Sequence, residues 1–85
     1  MMAEDLKEVG KVIGFYANIS VAAIDLTGAL AVGDTIVIKG HTTNFEQTVD
    51  SIQIEHKEVE KAKKGDPIAI KVKDRVRSHD IVYKK

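Results

Sequence analysis

Cysteine and tryptophan are both absent from this chain of 85 residues. Without cysteine there can be no disulfide framework, no thiolate metal site and no cysteine nucleophile. The absence of disulfides is also typical of the reducing cytoplasm. No stretch approaches the ~20 apolar residues of a membrane-spanning helix. Residues 1–5, with the acidic Glu4 and Asp5, lack the apolar run of a signal peptide. The sequence therefore predicts a cytoplasmic protein with no membrane partner.

The chain also has no excess charge of either sign, because 13 basic residues balance 13 acidic ones. A protein that holds nucleic acid by general electrostatic attraction is usually strongly basic. Basic residues are nevertheless more frequent in the last third of the chain, 57–85, where they can form a local patch.

The length is that of one small domain with a thin hydrophobic core. We assign residues 8–85 to this single domain. Residues 1–7, which include the charged Glu4, Asp5 and Lys7, are predicted to form a flexible leader.

Two Gly-Asp turns, each followed by alternating apolar residues, organise the domain. They are Gly33-Asp34 before the run 35–39 and Gly65-Asp66 before the run 67–73. Glycine adopts a positive φ without strain and aspartate bonds to nearby backbone, so both suit a tight turn. Further strands are predicted at 8–16, 19–26, 47–57 and 80–83, the third of them with a bulge near 50–51. Residues 58–64 are predicted to form a short strand or an extended link. We expect a small closed antiparallel β-barrel of six or seven strands and no helix.

The alternation in the two runs also predicts which side chains face the core. Leu30 and Val32 are expected to anchor the first turn. The inward positions are predicted to be Ile36, Ile38, Ile68, Ile70 and Val72, and the outward ones Thr35, Lys39, Lys71 and Lys73.

The ordered pattern Gly28-x-Leu30-x-Val32-Gly33-Asp34-x-Ile36-x-Ile38-x-Gly40, followed by Ala62-x-x-Gly65-Asp66-x-Ile68-x-Ile70, resembles the second domain of translational GTPases such as elongation factor Tu. The resemblance covers about residues 9–85 and is strongest to free-standing translation elongation factor-like proteins, which consist of that barrel alone. It implies the translation-protein barrel fold. The phosphate loop Gly-x-x-x-x-Gly-Lys-Ser/Thr is absent, so GTP hydrolysis is not implied.

The last turn departs from this family, because His79 in Arg77-Ser78-His79-Asp80 stands where the family usually has glycine. Histidine tolerates a positive φ only moderately, so this turn is expected to differ in shape. A similar barrel also ends some collagenase-like peptidases, and the fold by itself does not determine the function.

The predicted binding site is the polar loop 41–47 with nearby basic side chains. An imidazole, hydroxyl groups and a ring can hold an unpaired base, while lysine and arginine contact phosphate. The candidate residues are Lys39, His41, Thr43, Phe45, Lys71, Lys73, Arg75 and Arg77. The alternatives are that Phe45 caps the core and that the basic residues form a solvated face balanced by acidic neighbours.

Neither a metal site nor a catalytic centre is predicted. His41, His56 and His79 have no short ligand spacing between them, and no nucleophile has a recognisable base nearby in the sequence. We therefore expect no cofactor and no enzymatic activity.

The resemblance implies a non-enzymatic module that contacts tRNA, ribosomal RNA or a translation-related protein. Two alternatives stay open. One is a protein-interaction adaptor or homodimer, suggested by apolar residues on both faces of 9–16. The other is an enzyme or enzyme fragment that works beside a peptidase.

Overall fold

The computed structural model describes residues 6–85 and consists of ten β-strands without a helix in that range. The strands are β1 (Lys7–Tyr16), β2 (Val21–Leu26), β3 (Leu30–Ala31), β4 (Thr35–Lys39), β5 (Asn44–Thr48), β6 (Ile52–Ile54), β7 (Lys57–Val59), β8 (Lys61–Ala62), β9 (Pro67–Lys71) and β10 (Ile81–Lys84). The predicted all-β class is thus confirmed. The predicted flexible leader, 1–7, lies mainly outside the described residues, although Lys7 belongs to β1. Within 6–85 no helix is long and apolar enough to cross a membrane.

Eight of the strands form one antiparallel sheet in the order β5-β4-β10-β1-β2-β9-β6-β7, and β3 pairs with β8 in a second, two-stranded sheet. The predicted closed barrel of six or seven strands is wrong, because the edge strands β5 and β7 are not paired with each other. The segment 32–33, between β3 and β4, bonds instead to the residues that follow each edge strand, Val49 after β5 and Glu60 after β7. Gly33 N–H donates to Val49 O at 2.9 Å, and Val32 N–H donates to Glu60 O at 2.8 Å.

One hydrophobic core lies inside the sheet. Ile36 and Ile38 of β4 and Ile52 of β6 belong to the same buried cluster, although these strands lie near opposite ends of the strand order. The sheet must therefore curl around the core. The inward positions predicted from alternation are confirmed, since Ile36, Ile38, Ile68, Ile70 and Val72 are all buried.

The region 41–57 differs from its prediction. A strand, β5, begins at Asn44 inside the predicted loop, and the single predicted strand 47–57 is interrupted at 49–51. It then turns back at Glu55 and His56, which have φ values of 51° and 68°, so β6 and β7 form a tight hairpin. The polar composition of β5 concealed it, because a strand at the edge of a sheet needs few apolar residues.

Three turns of the molecule share one hydrogen-bonding scheme. In each, an aspartate carboxylate accepts the N–H of the residue three positions earlier, and the aspartate N–H returns to that residue's carbonyl. The carboxylate bonds are Ala31 N–H to Asp34 at 2.9 Å, Lys63 N–H to Asp66 at 3.0 Å and Arg77 N–H to Asp80 at 2.9 Å.

His79 takes the place of glycine in the third of these turns. Its φ is 80°, close to the 98° of Gly33 and the 93° of Gly65. The expectation that this turn differs in shape is therefore wrong, because the two bonds of Asp80 hold the histidine in the conformation that glycine adopts elsewhere. Val32, expected to anchor the first turn, is 41% exposed, whereas Leu30 is buried.

Candidate functional site

The predicted binding residues do not form one surface. Thr43 is buried and Phe45 is half-buried against the core cluster, which supports the alternative that this ring caps the core. His41 is exposed in the short connection between β4 and β5, and Lys39 is exposed at the end of β4.

Four of the predicted residues do come together in a groove. The segment 74–77 lies opposite the start of β5, and the space between them, about 290 Å³, is lined by Thr42, Thr43, Asn44, Phe45, Asp74, Arg75 and Arg77. We call this the arginine groove. It combines residues some thirty positions apart in the sequence, which no local pattern could join.

Lys71 and Lys73 open onto a different groove. That second groove is lined by Ser20, Gln47, Thr48, Asp50, Lys71, Val72 and Lys73. The predicted basic strip along 71–77 is therefore divided between two separate surfaces.

The side chain of Gln47 ties the edge strand β5 to the segment that follows β9. Its amide N–H donates to Lys71 O at 2.9 Å, and its amide oxygen accepts Lys73 N–H at 2.8 Å. These two bonds replace part of the strand pairing that the open sheet lacks. They also hold the chain directly before Asp74, Arg75 and Arg77, so Gln47 supports the arginine groove.

We expect Gln47→Ala to lower the free energy of unfolding by about 1–2 kcal/mol, because two hydrogen bonds to backbone are lost. Hydrogen exchange of the amides of 72–77 should accelerate more than that of the core strands. Gln53→Ala is the matched control, since Gln53 is exposed on β6 and should change stability by less than about 0.5 kcal/mol. Equal effects of the two substitutions would contradict the bridging role of Gln47.

The two arginines of the groove keep their guanidinium groups available. The carboxylate of Asp74 accepts the backbone N–H of Arg75 at 2.9 Å, and that of Asp80 accepts the backbone N–H of Arg77 at 2.9 Å. In the part of the chain that the structure describes, neither guanidinium forms a hydrogen bond or an ion pair. Both arginines are exposed.

A second candidate surface is apolar and lies on the outer side of the sheet. Ile13, Tyr16 and Ile19 are 54%, 55% and 56% exposed. Together with Val21, Ala23, Gln53, Glu55, His56, Pro67, Ile68 and Ala69 they line a shallow groove of about 590 Å³. We call this the apolar face.

A bulge in β1 and a row of small residues create the apolar face. The register of β1 against β2 shifts between Val12 and Gly14, so Ile13 is the extra residue and its side chain turns outward. Beside it, Gly14 pairs with Ala23, and Ala23 pairs with Ala69. Ala23 and Ala69 line the groove, and Gly14 beside them adds no side chain that could fill it. The apolar residues on both faces of 9–16 were visible in the sequence, but the contribution of 67–69 was not.

Among residues 6–85, no group of three or more His, Cys, Asp or Glu side chains is placed to hold a metal ion. His41 and His79 are exposed on separate turns, and His56 lies at the rim of the apolar face.

Curated relatives of this chain are named as proteases. The chain is 49% identical over 77 residues to a protease of Methanocaldococcus jannaschii and 44% identical over 78 residues to a collagenase of Porphyromonas gingivalis. Both matches cover 89% of this chain, but the chain spans only about a fifth of these relatives, 19% and 22% of their lengths. No family model matches the chain.

The fold matches a domain that has been solved alone. Two crystal structures of the C-terminal domain of a Geobacillus thermoleovorans protein, described as a U32 peptidase, superpose with TM-scores of 0.88 and 0.87. Each match covers 93% of this chain, and they cover 92% and 99% of the solved domains. The sequence identity is 22%, so these structures establish the fold alone.

These findings correct the interpretation drawn from the sequence. The resemblance to translation factors is wrong, because the relatives are named as a protease and collagenases and the matching structures are domains of a U32 peptidase. The RNA-binding function, which rested on that resemblance, is wrong for the same reason. The expectation of no enzymatic activity, which rested on the lack of a recognisable nucleophile and base, is also wrong, because the relatives are named as a protease and collagenases. The predicted partners, including a second copy of the chain, are not tested by these relatives.

Proposed function

We propose that this chain is a β-domain of a U32-type peptidase that acts together with a catalytic portion through its apolar face. The carrying observation is the 49% identity over 77 residues to a protease of which the chain spans only 19%. This function agrees with the alternative of an enzyme fragment working beside a peptidase. The cytoplasmic location and the homodimer stay predictions.

The apolar face supports this proposal physically. Single exposed apolar side chains are common on protein surfaces, whereas a contiguous patch usually marks an interaction site. Ile13, Tyr16 and Ile19 are each more than half exposed, and they line one groove together with the small residues Ala23 and Ala69. Covering such side chains gains about 25 cal/mol for each Å² of apolar surface removed from water. In the relatives, about four-fifths of the chain lies outside the matched segment, and we assign the contact with the apolar face to that remainder.

The proposal is tested by grafting this chain into the Methanocaldococcus jannaschii protease in place of the matching 77 residues. Peptidase activity is measured with casein and gelatin for the native protease, the chimera and a form that lacks the segment. We expect the chimera to keep activity and the deleted form to lose it, because an unpartnered interface leaves the catalytic portion unsupported.

Variants of the chimera then test the surface. Tyr16→Ser with Ile19→Ser should reduce activity about tenfold or more, the effect of losing a contact of roughly 1.4 kcal/mol. Val32→Ser is the matched control, since Val32 is also apolar and 41% exposed but lies outside the apolar face. An inactive but folded chimera, or equal losses with both sets of substitutions, would overturn the proposal.

A further inference from the structure

The arginine groove has the chemistry of a small anion site. Arginine presents a rigid planar set of N–H donors that matches a carboxylate or phosphate in a bidentate manner. Arg75 and Arg77 both line the groove, and their guanidinium groups have no hydrogen bond or ion pair within residues 6–85. The groove therefore offers two cations against the one carboxylate of Asp74, which is already bonded to a backbone N–H.

The other lining groups favour a peptide over a bare anion. The Asn44 amide and the hydroxyls of Thr42 and Thr43 can each donate and accept hydrogen bonds. A phosphate ion uses only the donors, whereas a carboxylate attached to a peptide also presents backbone N–H groups that need acceptors. The half-buried ring of Phe45 adds an apolar patch beside these polar groups.

The extent of the groove favours a single charged group over a polyanion. Nucleic acid is held by many successive phosphate contacts along a basic surface. Here Lys71 and Lys73 open onto a different groove, so the basic side chains do not form a continuous track. The zero net charge of the chain gives no additional long-range attraction to a polyanion.

We propose that the arginine groove binds a carboxylate of a polypeptide, with Arg75 and Arg77 pairing the charged oxygens and Asn44 and the threonines bonding the adjoining peptide groups. The inference deepens the proposed function, on which it rests, by naming acidic polypeptide segments as the substrate class that this domain selects. The groove and the apolar face are lined by different residues, so the two surfaces can be occupied at the same time.

The test is fluorescence anisotropy with the full chain and a labelled, amidated short peptide that carries adjacent Asp and Glu. The reference is its twin with Asn and Gln in their place. Charge-assisted hydrogen bonds are roughly twice as strong as neutral ones, so the acidic peptide should bind about tenfold or more tightly than its twin. Arg75→Gln with Arg77→Gln should abolish that preference.

The double variant Lys71→Gln with Lys73→Gln is the control, because it removes the same number of positive charges. It should alter the affinity for the acidic peptide by less than about threefold, as expected of exposed charges. Circular dichroism verifies that every variant is folded. Equal binding of the two peptides, equal losses in both double variants, or displacement of the acidic peptide by a short RNA at lower concentration would overturn the inference. Peptide binding is measured without the protease chimera, so an inactive chimera overturns the proposed function alone.

Discussion

Gly40→Ala is expected to destabilise the protein by about 3 kcal/mol, at the upper end of the cost of inserting a methyl group into a packed site. Gly40 follows β4, and Asp80 precedes the paired strand β10. A Cβ atom on Gly40 would collide with the carboxylate of Asp80. Asp80 is buried, and its carboxylate accepts a hydrogen bond from Arg77 N–H. The carboxylate therefore cannot move away without breaking the turn 77–80. Urea unfolding followed by circular dichroism measures the loss.

Two controls separate collision from other costs. A Cβ atom on Gly33 would meet no atom within 4 Å. The loss of about 1–2 kcal/mol of stability expected for Gly33→Ala therefore comes only from the positive φ of 98°. Asp80→Ala removes the carboxylate with which the Cβ atom of Gly40→Ala would collide. If the collision is the cause, the double variant should lose less stability than the sum of the two single variants, by about 1 kcal/mol or more. Additive losses would rule the collision out.

Ile24→Ala is expected to cost about 3–4 kcal/mol, within the range measured for removing large buried aliphatic side chains. Ile24 is fully buried on β2, where it pairs with Val12 on one side and Ile68 on the other. A domain of this size has a total stability of roughly 4–13 kcal/mol, so the loss should lower the thermal midpoint by well over 10 °C, at about 4–8 °C per kcal/mol. Differential scanning calorimetry measures that shift.

Ile13→Ala provides the matched control for Ile24→Ala. The two isoleucines lie on adjacent strands, but Ile13 is 54% exposed. Its replacement should change stability by less than about 0.5 kcal/mol. A large loss at Ile13 would mean that the apolar face contributes to folding, and it would weaken the assignment of that face to partner binding.

The parts of the fold that were predicted correctly depend on short-range chemistry. Gly33-Asp34 and Gly65-Asp66 mark turns because glycine permits a positive φ and aspartate caps the neighbouring backbone. The alternating apolar residues that follow identify the inward face of β4 and β9. The same turns also led to the wrong relatives, because a Gly-Asp turn before a strand serves any curved antiparallel sheet whatever its function.

The candidate sites were predicted less well, because they depend on long-range placement. Thr43 and Phe45 meet Arg75 and Arg77 only when the segment after β9 crosses in front of β5. The bonds of Gln47 hold it there, and neither partner has a sequence signal of its own. The apolar face similarly needs the β1 bulge to turn Ile13 outward and the pairing of β2 with β9 to supply Ala69.

The amino-acid sequence by itself determined an all-β domain, the positions of its Gly-Asp turns and the inward residues of its two regular strands, since these follow from preferences of neighbouring residues. Only the tertiary structure decided that the sheet stays open, that polar residues 44–48 form its edge strand and that His79 adopts a φ of 80°. The open sheet and its edge strand are stabilised by contacts between segments distant in the chain. The turn at His79 is held both by the bonds between Asp80 and Arg77, three positions earlier, and by the long-range bond of His79 N–H to Val12 O at 2.8 Å. The bonds from Asp80 and Gln47 outweigh the local preferences of the residues that they hold.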